Sequence, residues 1–233
     1  MSRVHVATPT TGEVRVEHAQ FLQWLMLHQA GHDLLMYMVE GRPIPDSRCK
    51  IVRRFLADPA AEYLFMIDDD QWPSEGKNGE LFFNPLDLIE QDLDVVTFPS
   101  PTVRYSRPDG PVVWYPAVVM PDTPLIRSRW IASSAIIIAR RVLEHPDLRV
   151  PFANTFKPDG TLCFSEDVDF AMKADAAGFT MYVAMDRPLH HAKTLDLLVL
   201  WRALHQDSHP ETGGDSLSLP KAEVADAASA GKG

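Results

Sequence analysis

The run Tyr63-Leu64-Phe65-Met66-Ile67 is apolar throughout and passes directly into Asp68-Asp69-Asp70. An unbroken apolar stretch of this length fits a strand covered on both faces, as in parallel sheets flanked by helices. Three adjacent carboxylates cannot follow such a strand into the core. They must stand at the sheet edge, where water or a cation meets their charge. This one junction asks for a layered α/β fold with a polar crevice beyond the strand ends.

The flanking pattern agrees. Val4 to Thr8 reads as a strand, ended by the turn Thr8-Pro9-Thr10-Thr11-Gly12. Residues 14–30 carry Val16, Leu22, Leu25, Met26 and Leu27 at near-helical spacing. His32 to Val39 is a second strand and Gly41–Pro45 a loop. Asp46 or Ser47 is expected to cap a helix over 48–57, with Ile51, Val52, Phe55 and Leu56 inward. A β-α-β-α-β start predicts a mostly parallel central sheet. Its rules bring three loops together: Pro9–Thr11, Glu40–Arg48 and Asp68–Asp70.

Further on, a helix is expected near 85–91 and a strand from Asp94 to Phe98. Residues 99–129 read as a long loop containing a short strand, Val112 to Tyr115. Ala135–Ala139 is an apolar strand, followed by a short helix from Arg140 and a loop from Pro151 to Thr161. Glu166–Ala177 is a helix closed by Gly178, and Thr180–Ala184 is a strand. A last helix is expected over 195–205. From Asp207 the sequence is rich in Gly, Ser, Asp and Ala. The expected organisation is therefore one domain, 1–206, and a low-complexity tail, 207–233.

Composition narrows the class. With 45% hydrophobic residues in 233, the chain can bury a core of good size. No run of about 18 apolar residues is present, so no membrane-spanning helix is expected. The start reads as a strand rather than a secretion signal. Cys49 and Cys163 make neither a disulfide framework nor a zinc motif. A reducing, cytoplasmic setting follows as the expectation, the host cytoplasm for a phage-encoded protein. The net charge of −10 argues against general polyanion binding, though not against a local basic patch.

Three clusters carry chemistry. Asp68-Asp69-Asp70 offers hard oxygen ligands suited to Mg2+ or Mn2+, ions that also bind substrate phosphates. Ser165-Glu166-Asp167-Val168-Asp169 opens a helix, where acidic residues suit the dipole and could also take a proton from a hydroxyl. His190-His191 follows a strand and offers imidazole ligands.

Taken together, VHVATPTTGEV, SRCKIVRRFL, FMIDDDQWP, IASSAIIIARRVL, SEDVDFAMKADAAGF and YVAMDRPLHHAK resemble GT-A nucleotide-sugar glycosyltransferases. The likeness is to family 2-like enzymes and particularly the small phage-type ones, and it runs over residues 3–193. Each segment is weak alone; their order gives the resemblance its weight. Cys49 departs from the usual Asn, and Ser133-Ser134 from the usual Gly pair.

The resemblance implies a GT-A, Rossmann-like single domain using a nucleoside-diphosphate sugar and Mn2+ or Mg2+. Asp70 would hold the ion, with Asp68 and one of His190 and His191; an ungapped reading favours His191. Thr8, Pro9 and Thr11 would border the nucleoside, with Glu40, Arg48, Asp68 and Asp69 on the donor side. Asp167, or else Glu166, would be the base for the acceptor hydroxyl. Inverting and retaining outcomes both fit this scaffold. The alternatives are a nucleotidyltransferase, or a sugar-nucleotide-binding module without catalysis. For the acceptor, Arg104, Tyr105, Arg107, Trp114, Tyr115, Arg127, Arg129 and Trp130 interleave basic and aromatic residues. That pattern suits a nucleic-acid strand, and a hydroxymethylated pyrimidine in phage DNA is the candidate.

Overall fold

The computed structural model describes residues 1–76, 79–100, 102–106, 110–114, 124–129 and 131–192, with 102–106 and 110–114 as backbone. The expected helix 195–205 and the tail from Asp207 lie outside the described residues, as do Arg107, Tyr115 and Trp130.

In chain order the elements are β1 Arg3–Thr10, α1 Val16–Leu27, β2 Asp33–Glu40, α2 Ile44–Leu56, β3 Ala61–Ile67 and β4 Gln71–Pro73. A 3-10 helix, Pro85–Gln91, leads to β5 Val95–Thr97, β6 Thr102–Ser106, β7 Gly110–Trp114 and β8 Leu125–Arg127. Then come β9 Ala135–Ala139, α3 Arg140–Leu143, a 3-10 turn Pro146–Leu148, β10 Thr155–Phe156 and β11 Leu162–Phe164. The last are α4 Glu166–Ala176, β12 Met181–Ala184 and β13 Leu189–His191.

Among the described residues, seven strands form the central sheet in the order β2-β1-β3-β9-β5-β12-β8. β2, β1 and β3 are mutually parallel, and β5 pairs in parallel with β12. β9 sits antiparallel between β3 and β5, and β8 closes the edge antiparallel to β12. The result is a single α/β domain of the Rossmann-like class, with five strands in one direction and two reversed. β9 lies at the centre of the sheet, and all five of its residues are buried.

The core follows from helix stripes meeting apolar strands. His18, Phe21 and Leu25 form the buried stripe of α1. Ser47, Arg48, Ile51, Val52 and Phe55 form that of α2, and Phe170, Ala171 and Ala174 that of α4. Leu64, Phe65, Met66 and Ile67 of β3 are fully buried, as the unbroken apolar run requires.

Several boundaries differ from expectation. α1 stops at Leu27, because Ala30 and Gly31 take positive φ, which a helix cannot continue through. α2 begins at Ile44 with Pro43 as its N-cap. Proline suits a first helical turn, so Gly41–Pro45 is only partly loop. Asp46 therefore lies within the first turn and pairs with Lys50 at 2.6 Å instead of capping. The helix near 85–91 is a 3-10 helix, begun by the Asn84 side chain accepting from the Leu86 amide. The loop Pro151–Thr161 contains β10, which pairs with β11 as a hairpin. Gly178, at φ 86°, supplies the left-handed residue that ends α4.

Candidate active site

The three loops predicted to converge do so. The Gly41 amide donates to the Thr10 carbonyl, joining the ends of β1 and β2. The Thr11 amide donates to Asp69 Oδ2 at 3.3 Å, and the Arg15 amide to the Asp69 carbonyl at 3.1 Å. The loop after β1 is thereby pinned to the acidic run after β3. Glu40 is exposed at the end of β2, with its carboxylate close to Gly12. Pro9 is buried in β1.

Thr8 is 1% exposed, and its hydroxyl is committed inward. It lies 3.0 Å from His18 Nε2, while His18 Nδ1 lies 2.7 Å from the Gln71 carbonyl. A carbonyl only accepts, so Nδ1 carries the proton and Thr8 donates to Nε2. Burial holds His18 below its ordinary pKa, against the pull of the Gln71 carbonyl, Asp69 and Asp70. His18 thus fixes where β4 departs from the acidic run. The sequence carried a faint signal of this, a histidine on the inner stripe of the first helix.

β4 and β13 form a two-stranded antiparallel ribbon beyond the sheet. Neither strand is expected from the sequence. The ribbon decides the fate of the two histidines, since residues directly opposite share a face and neighbours alternate. His190 pairs with Trp72 and stacks on it, with centroids 5.5 Å apart. His191 pairs with Gln71 on the other face and brings Nε2 to 3.4 Å from Asp70 Oδ2. The Ala192 amide donates to the Asp70 carbonyl at 2.8 Å and fixes that approach. His190 is thus turned away from Asp70.

Asp68 is placed differently from its neighbours. Its amide donates to the Ser134 carbonyl at 2.8 Å, beside the start of β9. Both its carboxylate oxygens accept from Arg48 Nη2, at 2.8 and 3.0 Å. Arg48 Nη1 donates to Glu166 Oε1 at 2.6 Å. Burial pushes the Asp68 carboxyl up to about 6, with Arg48 pulling against it and Asp70 and Asp69 adding to the rise. Arg48 is 3% exposed. Its guanidinium is therefore taken up by two carboxylates rather than presented to a donor.

At the start of α4, the Ser165 hydroxyl and the Val168 amide both donate to Asp167 Oδ1, the latter at 2.9 Å. Asp169 pairs with Lys173 one turn along, at 2.6 Å. Of the acidic residues opening this helix, Asp167 is the one whose carboxylate is held at the helix start by its own N-terminal turn.

A cleft of about 570 Å3 opens between the loop after β1 and the β4–β13 ribbon. Thr11, Arg15, Asp69, Asp70 and Ala192 line it. Among the described residues no group of three or more His, Cys, Asp or Glu converges as a metal cage. Asp70 and His191 nonetheless suit two adjacent positions on one ion. Ligands about 2.1 Å from an octahedral ion stand about 3 Å apart. Their carboxylate and imidazole are a donor set that suits Mn2+. Asp68, engaged by Arg48, stands outside that pair.

No family model matches the chain, and no curated protein does. Solved structures of similar shape include A197 from STIV, at 16% identity and TM-score 0.49, covering 82% of this chain and 86% of that one. GalNAc-T7 with UDP, GalNAc and Mn2+ follows, at 10% identity and TM-score 0.45. That match covers 84% of this chain, which spans 44% of the GalNAc-T7 chain. The inositol-1-phosphate CTP transferase from T. maritima matches at 11% identity and TM-score 0.38, covering 88% and 97%. At these scores none of them decides a function. Among the described residues, no helix is long and apolar enough to cross a membrane.

Proposed function

We propose that this chain transfers a sugar from a nucleoside-diphosphate sugar to an acceptor hydroxyl, with a divalent cation at the diphosphate. The observation that carries the reading is the approach of His191 to Asp70 at the rim of a cleft lined by strand-end loops. Asp70 and His191 would hold Mn2+ or Mg2+, which when bound supplies Lewis-acid stabilisation of the departing diphosphate. Arg15, exposed on the cleft wall, adds positive charge beside it. Asp69, anchored by the Thr11 and Arg15 amides, shapes the donor side.

Asp167 takes the proton of the acceptor hydroxyl as its oxygen bonds to the anomeric carbon. The bond from that carbon to the phosphate oxygen breaks, and the electron pair leaves with the nucleoside diphosphate. Ser165 and Val168 hold Asp167 through one oxygen, which leaves the other to accept the proton. Attack opposite the leaving diphosphate corresponds to inversion at the anomeric carbon.

For the acceptor, a hydroxymethylated pyrimidine in phage DNA is the finer reading. Its support is the basic and aromatic pattern of residues 102–130; within it, Arg127 and Arg129 are exposed. The test is a donor screen with Mn2+ over duplexes containing or lacking hydroxymethylated bases, read out by released nucleoside diphosphate. Release stimulated by the modified duplex supports both parts. Release stimulated equally by unmodified DNA or by none removes the DNA acceptor and keeps the transferase. Release of pyrophosphate from a nucleoside triphosphate substitutes nucleotidyl transfer for glycosyl transfer.

A further inference from the structure

Arg48 joins two parts of the candidate site, the acidic run after β3 and the start of α4. Asp68 stands at the exit of β3, on the side of the acidic run. Glu166 stands at the first turn of α4, beside the candidate base. One guanidinium spans them, at 2.8 and 3.0 Å to Asp68 and 2.6 Å to Glu166. It does so from the buried stripe of α2, 3% exposed, while Asp68 and Glu166 keep 24% and 20% of their side chains exposed. Its Nε is buried and has no hydrogen-bond partner among the described residues, so packing along α2, not a full set of hydrogen bonds, sets the side chain in place.

Withdrawing a guanidinium from water is unfavourable, and an apolar residue would fill this stripe at less cost. Arg48 is therefore poorly explained as a stabiliser. A planar fork that grips a carboxylate on each side is well explained as a spacer. Lysine, a single flexible point charge, would not hold both carboxylates in fixed directions.

Resting on the functional reading above, we infer that Arg48 is a positioning residue that sets the distance between the cation-side loop after β3 and the base-bearing start of α4. Glu166 is then the handle by which α4 is held. Its carboxylate points at Arg48, so the neighbouring Asp167 projects elsewhere. Asp167 is then the one of the two whose carboxylate is not ion-paired to Arg48, and it meets the acceptor on the functional reading above. Asp68 serves the site through Arg48.

The test compares wild type, Arg48→Lys and Glu166→Gln by two readouts. The first is amide hydrogen exchange of the segments 66–71 and 164–170. Arg48→Lys is expected to speed exchange in both segments and to leave β1 and α1 unchanged. Glu166→Gln is expected to act on 164–170 alone, because Asp68 keeps its partner. Should Arg48→Lys leave 164–170 at the wild-type rate, or loosen the whole domain evenly, the spacer role is overturned. This readout stands whether or not the chain proves to be a glycosyltransferase.

The second readout is single-turnover transfer and donor affinity. A displacement of the base by about 1 Å costs up to roughly 10²-fold in rate. Glu166→Gln and Arg48→Lys are each expected to lower kcat by about 10-fold or more at near-constant donor affinity, and the double variant to lower it no further. Additive losses would show that the two residues act independently and contradict the inference. Loss of the pH dependence of turnover in Glu166→Gln, with Asp167→Asn unaffected, would make Glu166 the base and also overturn it. Absence of any turnover in wild type would count against the functional reading alone.

Discussion

His191 Nε2 stands 3.4 Å from Asp70 Oδ2, across a ribbon formed by two strands of three residues each. The two side chains are 121 residues apart and meet because β13 returns antiparallel to β4. Register alone selects His191 over its neighbour. A slip of one residue that set His190 opposite Gln71 would turn His191 onto the Trp72 face.

This makes a prediction about cation binding. Asp70→Ala and His191→Ala should each weaken Mn2+ binding measured by calorimetry in the presence of nucleoside diphosphate. Losses of 10- to 100-fold are the usual scale for disturbing a metal site. His190→Ala should leave Mn2+ affinity at wild type. An equal loss in His190→Ala and His191→Ala would show that the ribbon face does not discriminate between them.

Asp167→Asn should bind donor normally and transfer slowly. Removing a general base costs about 10²–10⁴ in rate, and that loss falls on the chemical step. Single-turnover rates and donor affinity separate the two. Wild-type turnover in Asp167→Asn would remove it from the mechanism and favour a retaining route.

The hairpin leading into α4 should contact the acceptor. Phe156 and Leu162 pair directly across it, and Phe156 and Phe164 are 58% and 37% exposed. Phe164 lies two residues before Glu166. Flat rings beside the proposed base suit a nucleobase or a sugar face. Phe156→Ala and Phe164→Ala are expected to raise the acceptor KM several-fold, with donor hydrolysis and thermal stability unchanged. A changed donor affinity with constant acceptor KM would place the hairpin elsewhere in the cycle.

Stability should depend on His5 in mild acid. His5 is buried in β1, its Nε2 facing Asp58 at 3.1 Å and its Nδ1 facing the Tyr37 hydroxyl at 3.2 Å. Burial lowers its pKa below 6.5, although Asp58 opposes the fall. Below pH 6.5 the unfolded chain therefore binds a proton that the folded chain resists. The contribution of His5 is complete above pH 6.5 and is lost as pH falls towards the folded value. Denaturation midpoints of wild type and His5→Gln should thus converge as pH falls from 7 to 5. A constant gap between them would contradict the assignment.

The parts of the fold legible in the sequence are those where a single signal dominates. The apolar run of β3, the acidic start of α4 and the Gly178 stop after it each impose one local outcome. The turn expected from Thr8 to Gly12 instead starts later, β1 running on through Pro9 and Thr10 in register with Val39 and Glu40. The ribbon that orients His191 was not legible, because three residues carry no periodicity and Gln71-Trp72-Pro73 has no strand signature apart from Trp72. The commitments of Thr8 and Arg48 were not legible either. Both depend on partners far along the chain, His18 for one and the Asp68–Glu166 pair for the other. A threonine and an arginine near a strand-end crevice read as ligands of a bound substrate until their polar atoms are found to be taken.

On the function proposed above, the cleft holds a cation at a sugar nucleotide and the chain cleaves the sugar from it. The most direct measurement is nucleoside diphosphate release across a panel of nucleotide sugars, with Mn2+ and with chelator, for wild type and Asp70→Ala. Wild type is expected to release nucleoside diphosphate with Mn2+ for at least one donor and none with chelator, and a folded Asp70→Ala none at limiting Mn2+. Undiminished release by Asp70→Ala at limiting Mn2+, or by wild type with chelator, would contradict that function.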